Sequence, residues 1–263
     1  MIKLIATDLD GTLLDENGNV NENFYTILKE LKNKKVKFAA ASGRQYSTLV
    51  KTFEKAKDDM IFVSENGTYI LEEDKELYSN TLDRNLILEL IKLTRTVDGC
   101  YAILSGKEFG YIEDRNKDLI EQVEKYYSKY KIVDDLTKVT DDVVKFTICD
   151  LKGSSENSYK VFNPKYGKDY QVVKSGLLWL AIMNKNVSKG SAIEVLQKKF
   201  NISKEETMVF GDYFNDVEML KNAKFSYAME NAPDEVKKCA NFIAPSNRNN
   251  GVLATIKDIV LSQ

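Results

Sequence analysis

Apolar runs and amphipathic stretches alternate through the first quarter of the chain. Residues 2–7 form a short apolar run that predicts a buried strand. Residues 21–34 place Phe24, Ile27, Leu28 and Leu31 at the offsets of one helical face, with Asn21 as N-cap. Residues 36–41 predict a second strand, 45–57 a second helix and 60–63 a third strand. Strands alternating with helices in this way predict a parallel sheet with crossover helices. Polar and glycine residues follow each strand: DLDGTLL at 8–14, Ser42-Gly43-Arg44, then Ser64-Glu65-Asn66-Gly67. Open α/β sheets bind their ligands at that carboxyl edge.

The rhythm changes after residue 68. Residues 69–71 and 76–78 flank a charged turn and predict a hairpin. From about 83 to 184 the helices expected at 85–94, 117–130 and 157–162 mix with strands expected at 100–104, 108–112, 143–149, 170–173 and 177–182. From residue 188 the strand–helix order resumes, with a helix at 189–200, strands at 208–210, 225–228 and 242–244, and helices at 216–222, from 233, and at 252–261. The economical fold is α/β: a Rossmann-like parallel-sheet core in two segments, 1–82 and 185–263, interrupted by an α+β domain at 83–184.

The 263 residues can bury a large core, and 30% charged residues with a net charge of −2 describe a globular protein without a polyanion-binding surface. Nucleic acid is therefore not expected as a partner. No apolar run approaches a membrane span, and no basic leader with a cleavage site opens the chain, so a cytoplasmic protein is expected. Cys100, Cys149 and Cys239 are far apart and predict isolated thiols. There is no histidine. Imidazole bases, His-ligated zinc and Ser-His or Cys-His nucleophilic systems are excluded.

Catalysis must then run on carboxylates, lysine, arginine, hydroxyls and backbone dipoles. In an extended chain Asp8 and Asp10 point the same way and converge on one volume, with Gly11 and Thr12 turning the chain out of the strand. Close carboxylates repel, so they call for a cation or a shared proton. Parallel strands would bring four clusters to one edge: Asp8/Asp10/Thr12, Ser42-Gly43-Arg44, Lys189, and Gly211-Asp212 with Asn215-Asp216. Each alone has an ordinary reading as turn, loop or solvated lysine. Together they form an all-oxygen carboxylate set suited to Mg²⁺, with an ammonium and amides suited to phosphate oxygens.

These motifs resemble the haloacid dehalogenase superfamily, in its Cof-type phosphatase subgroup with a large type-II α/β cap. DLDGTLL is similar to its first motif, Ser42-Gly43-Arg44 to the second, Lys189 in VSKGSAI to the third and GDYFNDVEML (211–220) to the fourth. Asn66-Gly67 and residues 228–252 are similar as well. The resemblance implies a Mg²⁺-dependent phosphatase of small phosphorylated metabolites, such as sugar phosphates or nucleotide and cofactor phosphates, working through an aspartyl-phosphate. It implies Asp8 as nucleophile and Asp10 as general acid and base. It implies Mg²⁺ held by Asp8, the Asp10 carbonyl and Asp212, with Asp216 a direct or outer partner. Leu9, Thr12, Ser42, Gly43, Lys189 and Asn215 would bind phosphate, and Arg44 would support the site or touch substrate. Tyr213 and Phe214 stand where smaller residues are common, and are expected to pack under the cap. The inserted domain would close over the site and set specificity, with hinges near 81–84 and 184–188. Tyr111, Arg115, Lys145 and Trp179 are its candidate substrate contacts. A phosphomutase of the same fold and a non-enzymatic phospho-receiver are the alternatives.

Overall fold

The computed structural model describes residues 1–262. The chain forms two compact units, Met1–Tyr78 together with the chain from Val187 on, and Ser79–Asn186. In chain order the first segment holds β1 (Leu4–Thr7), α1 (Asn23–Asn33), β2 (Lys37–Ala41), α2 (Tyr46–Thr52), β3 (Ile61–Ser64), β4 (Tyr69–Glu72) and β5 (Lys75–Ser79). The inserted unit holds α3 (Arg84–Thr94), β6 (Cys100–Gly106), β7 (Gly110–Ile112), α4 (Lys117–Tyr126), β8 (Tyr130–Ile132), β9 (Val143–Asp150), α5 (Ser158–Tyr166), β10 (Tyr170–Lys174) and β11 (Trp179–Asn184). The chain returns with α6 (Lys189–Phe200), β12 (Thr207–Gly211), α7 (Val217–Lys221), β13 (Phe225–Met229), α8 (Asp234–Lys237), β14 (Phe242–Ala244) and α9 (Gly251–Ile256).

The first unit is built on one eight-stranded sheet ordered β14-β13-β12-β1-β2-β3-β4-β5. Its strands are parallel from β14 to β3, and β4 then pairs antiparallel with β3. The core strands read as unbroken apolar runs because both faces are covered. Ile5, Phe38, Phe62 and Phe210 face a cluster with Phe24, Leu28 and Leu31 of α1 and Val252 and Ile256 of α9. Leu4, Ala6, Ala39, Val63 and Val209 face Ile193 and Leu196 of α6 and Met219 and Leu220 of α7. The chain runs from β1 toward β3 on one side, then fills the other side with β12 to β14. The strand order therefore reverses at β1, and it is outside the carboxyl ends of the strands at such a point that open α/β sheets bind ligands.

The inserted unit has a six-stranded sheet ordered β10-β11-β9-β6-β7-β8. Leu86, Leu90 and Ile91 of α3 and Phe162 of α5 pack on one side with Leu104, Phe146 and Leu180. Leu119 and Val123 of α4 pack with Ile103, Cys149 and Trp179. Asn184 Nδ2 donates to Asn80 Oδ1 at 2.6 Å and to the Thr81 carbonyl at 2.9 Å, tying the segments that enter and leave this unit.

Several expected elements differ, and three differences bear on packing. The helix at 45–57 ends at Thr52, and a 3₁₀ stretch at Glu54–Asp59 follows. Phe53 breaks it by turning fully into the core against Phe24 and Phe62, and Ala56 is the one buried residue of the stretch beyond. The helix at 117–130 stops at Tyr126, and Tyr130–Ile132 is instead a strand paired with β7. The helix at 157–162 runs on through Pro164 to Tyr166. Among the described residues no helix is long and apolar enough to cross a membrane. All three cysteines are free, and burial pushes the Cys100 and Cys149 thiols up to about 12.

Candidate active site

Parallel register brings the ends of β1 and β12 together: Thr7 lies opposite Phe210, and Asp8 N donates to the Phe210 carbonyl at 3.0 Å. Asp8 therefore emerges beside Gly211-Asp212. Carboxylate oxygens of Asp8, Asp212 and Asp216 lie within 4.8 Å of one another. Lys189, the first residue of α6, reaches into this group. Its Nζ donates to Asp8 Oδ1 and, at 2.7 Å, to Asp216 Oδ1. Lys189 is 1% exposed, Asp216 0% and Asp8 7%.

The supports of these groups are local. Ser188 caps α6: its Oγ accepts from Ser191 N, and its own N–H donates to Ser191 Oγ. A buried amide network braces the same helix, with Asn222 Nδ2 on the Gly190 carbonyl and Gln197 Nε2 on the Asn222 carbonyl. Asp216 Oδ2 accepts from both Asp212 N and Tyr213 N at 3.0 Å, pinning the loop between the two acids. Thr12 Oγ1 donates to Asp212 Oδ1 at 2.9 Å. Gly11 has φ +83° and lies against Asp212, where a Cβ would fall 2.4 Å from Oδ2, so the turn needs glycine.

Charge is unbalanced here, with three carboxylates around one ammonium. Burial, the largest influence, pushes Asp8 up to about 8, against the pull of Lys189 and with help from Asp216 and Asp212. Burial also raises Asp212, opposed by the Thr12 hydrogen bond. For Lys189 burial works downward, but Asp8 and Asp216 overturn it and the net shift is upward. An all-oxygen set with surplus negative charge fits Mg²⁺.

Asp10 departs from the expected convergence. The strand ends at Thr7, Asp8 is still extended, and Leu9–Leu13 winds into one wide turn. The carboxylate of Asp10 is 59% exposed and lies outside the three-acid group, gripped by Arg44 through Nε at 3.0 Å and through Nη2. The same-face rule fails because it holds only within a strand. The Thr12 hydroxyl gives its hydrogen to Asp212, which leaves the main-chain N–H as the donor that Thr12 has for a phosphate. Ser42 is buried, and its Oγ accepts from Arg44 N at 3.2 Å. Leu9 is fully buried, and Gly43 lies between Ser42 and Arg44. Asn215 is exposed on the turn Phe214–Asp216.

Tyr213 and Phe214 meet edge to face at 5.1 Å and are 58% and 54% exposed. In the inserted unit, Trp179 is core and packs against Tyr126. Tyr111 is also core, with its hydroxyl on Asp141. Arg115 is exposed, and Lys145 is buried on β9. Sequence reasoning missed Asn231, whose Nδ2 holds the Gly11 carbonyl at 2.8 Å, and the Gln197–Asn222 brace. A polar residue on the buried side of α6 was the available signal for the brace.

The parallel sheet places acids at its reversal point, and the sequence profile of the haloacid dehalogenase-like hydrolases matches residues 5–256. The chain belongs to that family, and it is a phosphatase. It is similar to the 5-amino-6-(5-phospho-D-ribitylamino)uracil phosphatase YbjI of Escherichia coli, with 31% identity over 98% of this chain and 96% of that one. A Streptococcus mutans protein of solved structure has 31% identity over 100% of both chains, at a TM-score of 0.86. One from Thermotoga maritima has 26% identity over 98% of each, at a TM-score of 0.88.

Proposed function

We propose that this phosphatase hydrolyses small phosphorylated metabolites through an aspartyl-phosphate on Asp8, with Mg²⁺ as its cofactor. The observation that carries the reading is the Asp8–Lys189–Asp216 chain of ion pairs at the end of the central strand, with Asp212 beside it. Asp8 and Asp212, with the Asp10 carbonyl, would hold the ion. Both oxygens of Asp216 already accept hydrogen bonds, so it serves as an outer partner. When bound, Mg²⁺ offsets repulsion between the anionic nucleophile and the phosphate.

Asp8 attacks phosphorus in line, a P–O bond to the carboxylate forms, and the bond to the leaving oxygen breaks. Asp10 gives that oxygen its proton. Water then attacks the phosphoryl group, Asp10 takes a proton from it, and Asp8 departs with orthophosphate released. Lys189, Asn215, Ser42 and the amides of Leu9, Gly43 and Thr12 hold phosphate oxygens. Arg44 orients Asp10. The inserted unit supplies selectivity among leaving groups, with Arg115 and Lys145 its polar candidates. Sugar phosphates and nucleotide or cofactor phosphates form the candidate range. The pyrimidine ribityl phosphate named for the Escherichia coli relative is the first member to try.

The test is orthophosphate release from a panel of such esters, with Mg²⁺ and with chelator, beside Asp8→Asn. Release that needs both the metal and Asp8 supports the reading. Near-wild-type release by Asp8→Asn removes Asp8 as nucleophile, and transfer of phosphate between substrate hydroxyls without net release identifies a mutase.

A further inference from the structure

We infer that the turn Glu65–Gly67 is a positioning strut of the phosphate site, with Asn66 seating Gly43 and Gly67 admitting the start of the Lys189 helix. The inference rests on the phosphatase reading above, to which it adds residues that touch neither metal nor leaving group.

The backbone is the first observation. Glu65, Asn66 and Gly67 take φ of +51°, +59° and +99°, three successive left-handed residues directly after β3. Asparagine and glycine tolerate that region, but glutamate has no local reason to enter it. Such a run persists only where the surroundings enforce it, and strain of this kind gathers at functional sites.

The surroundings here belong to the phosphate site on both sides. Glu65 N donates to the Arg44 carbonyl at 3.0 Å and Asn66 N to the Ser42 carbonyl at 2.9 Å, so two consecutive amides clamp the residues flanking Gly43. The Asn66 side chain lies over Gly43 itself: a Cβ there would fall 3.0 Å from Oδ1 and 3.2 Å from Nδ2. On the other side, a Cβ on Gly67 would fall 2.3 Å from the Ser188 carbonyl oxygen. Ser188 caps α6, and Lys189 is the next residue. One three-residue turn thus touches both the loop that presents the Ser42 and Gly43 donors and the helix start that presents the ammonium. A plain connection from β3 to β4 requires neither contact.

The test is calorimetric binding of orthophosphate to the Mg²⁺-loaded protein, with melting temperatures alongside. Asn66→Gly keeps the left-handed backbone and removes only the amide over Gly43. Gly67→Ala forces Ser188 and Lys189 to move. Both variants are expected to bind orthophosphate roughly tenfold more weakly, because small displacements of oriented donors are costly. KM should rise by one common factor for every ester the wild type hydrolyses, with the substrate ranking unchanged. Orthophosphate affinity in Asn66→Gly indistinguishable from wild type overturns the strut, as does a KM change that depends on the leaving group. That variant decides the matter even if Gly67→Ala fails to fold. Wild-type ester hydrolysis with unaltered binding in Asn66→Gly sinks the strut alone. Orthophosphate binding that weakens in the variants, with no wild-type turnover of any ester, supports the strut and sinks the phosphatase reading's substrate range.

Discussion

Arg44 holds both oxygens of the Asp10 carboxylate in its guanidinium fork, the two residues being 34 positions apart in the chain. The fork fixes the plane of a group proposed to pass a proton twice. The pair is partly exposed, so it adds little to stability. Arg44→Ala is therefore expected to leave the melting temperature nearly unchanged while lowering kcat by about 10- to 100-fold, a cost typical of a misoriented acid–base group. Arg44→Lys restores charge without the fork and should recover only part of the loss. Full activity in Arg44→Ala would remove the orienting role.

Metal uptake should release protons. Three carboxylates, two of them buried, share one ammonium, and Asp8 is pushed up to about 8. Carboxylates bind a metal in their ionised form, so the ion must displace the proton held below that pKa. Mg²⁺ affinity should therefore tighten as pH rises toward 8 and flatten above it. Calorimetry in buffers of different ionisation enthalpy is expected to report about one proton released per ion near neutral pH, and close to none at strongly alkaline pH. Equal proton release at both would contradict this charge state.

Thr12 orients Asp212 from a fully enclosed position. Thr12→Val keeps the shape and removes the donor. Partners of metal-binding groups matter at about 10- to 100-fold in metal affinity, so the Mg²⁺ titration should shift by that order. Activity at saturating Mg²⁺ should largely return. Asp212→Ala should shift the titration further, and an unchanged titration in that variant would remove Asp212 as a ligand.

The apolar runs at β1, β2, β3 and β12 are legible because strands covered on both faces have little room for polar residues. Once these strands are parallel, their polar ends must meet, and so the meeting of Asp8, Asp212, Asp216 and Lys189 can be inferred from spacing and order. The pairing of Asp10 with Arg44 could not be. It depends on the chain leaving the extended conformation at Leu9, which two acids at i and i+2 do not encode. Phe53 shows the same limit in the fold. Its apolar character suits a helix face, but the aromatic cluster it completes lies at distant positions, and tertiary packing outweighs helical continuity there. Tyr130 and Ile132 were missed because a three-residue strand is too short to display a period.

The inserted unit carries an ion-pair network that should make its stability sensitive to acid. Arg95, just after α3, donates to Glu113 at 2.8 and 2.5 Å and to Asp135 at 2.8 Å. Glu113 also accepts from Leu136 N at 2.9 Å. Hydrogen bonds from Arg95 hold both carboxylates below their usual range. A depressed folded pKa gives stability that is complete above the unfolded value, about 4 for these groups, and is lost as pH falls below it through the folded value. The melting temperature of the wild type should therefore drop more steeply on acidification through that window than that of Glu113→Gln. At neutral pH the variant should be less stable by about 1 kcal/mol, since Arg95 is partly exposed and solvent screens the pair. Parallel acid limbs in the two proteins would show that the network contributes packing without charge.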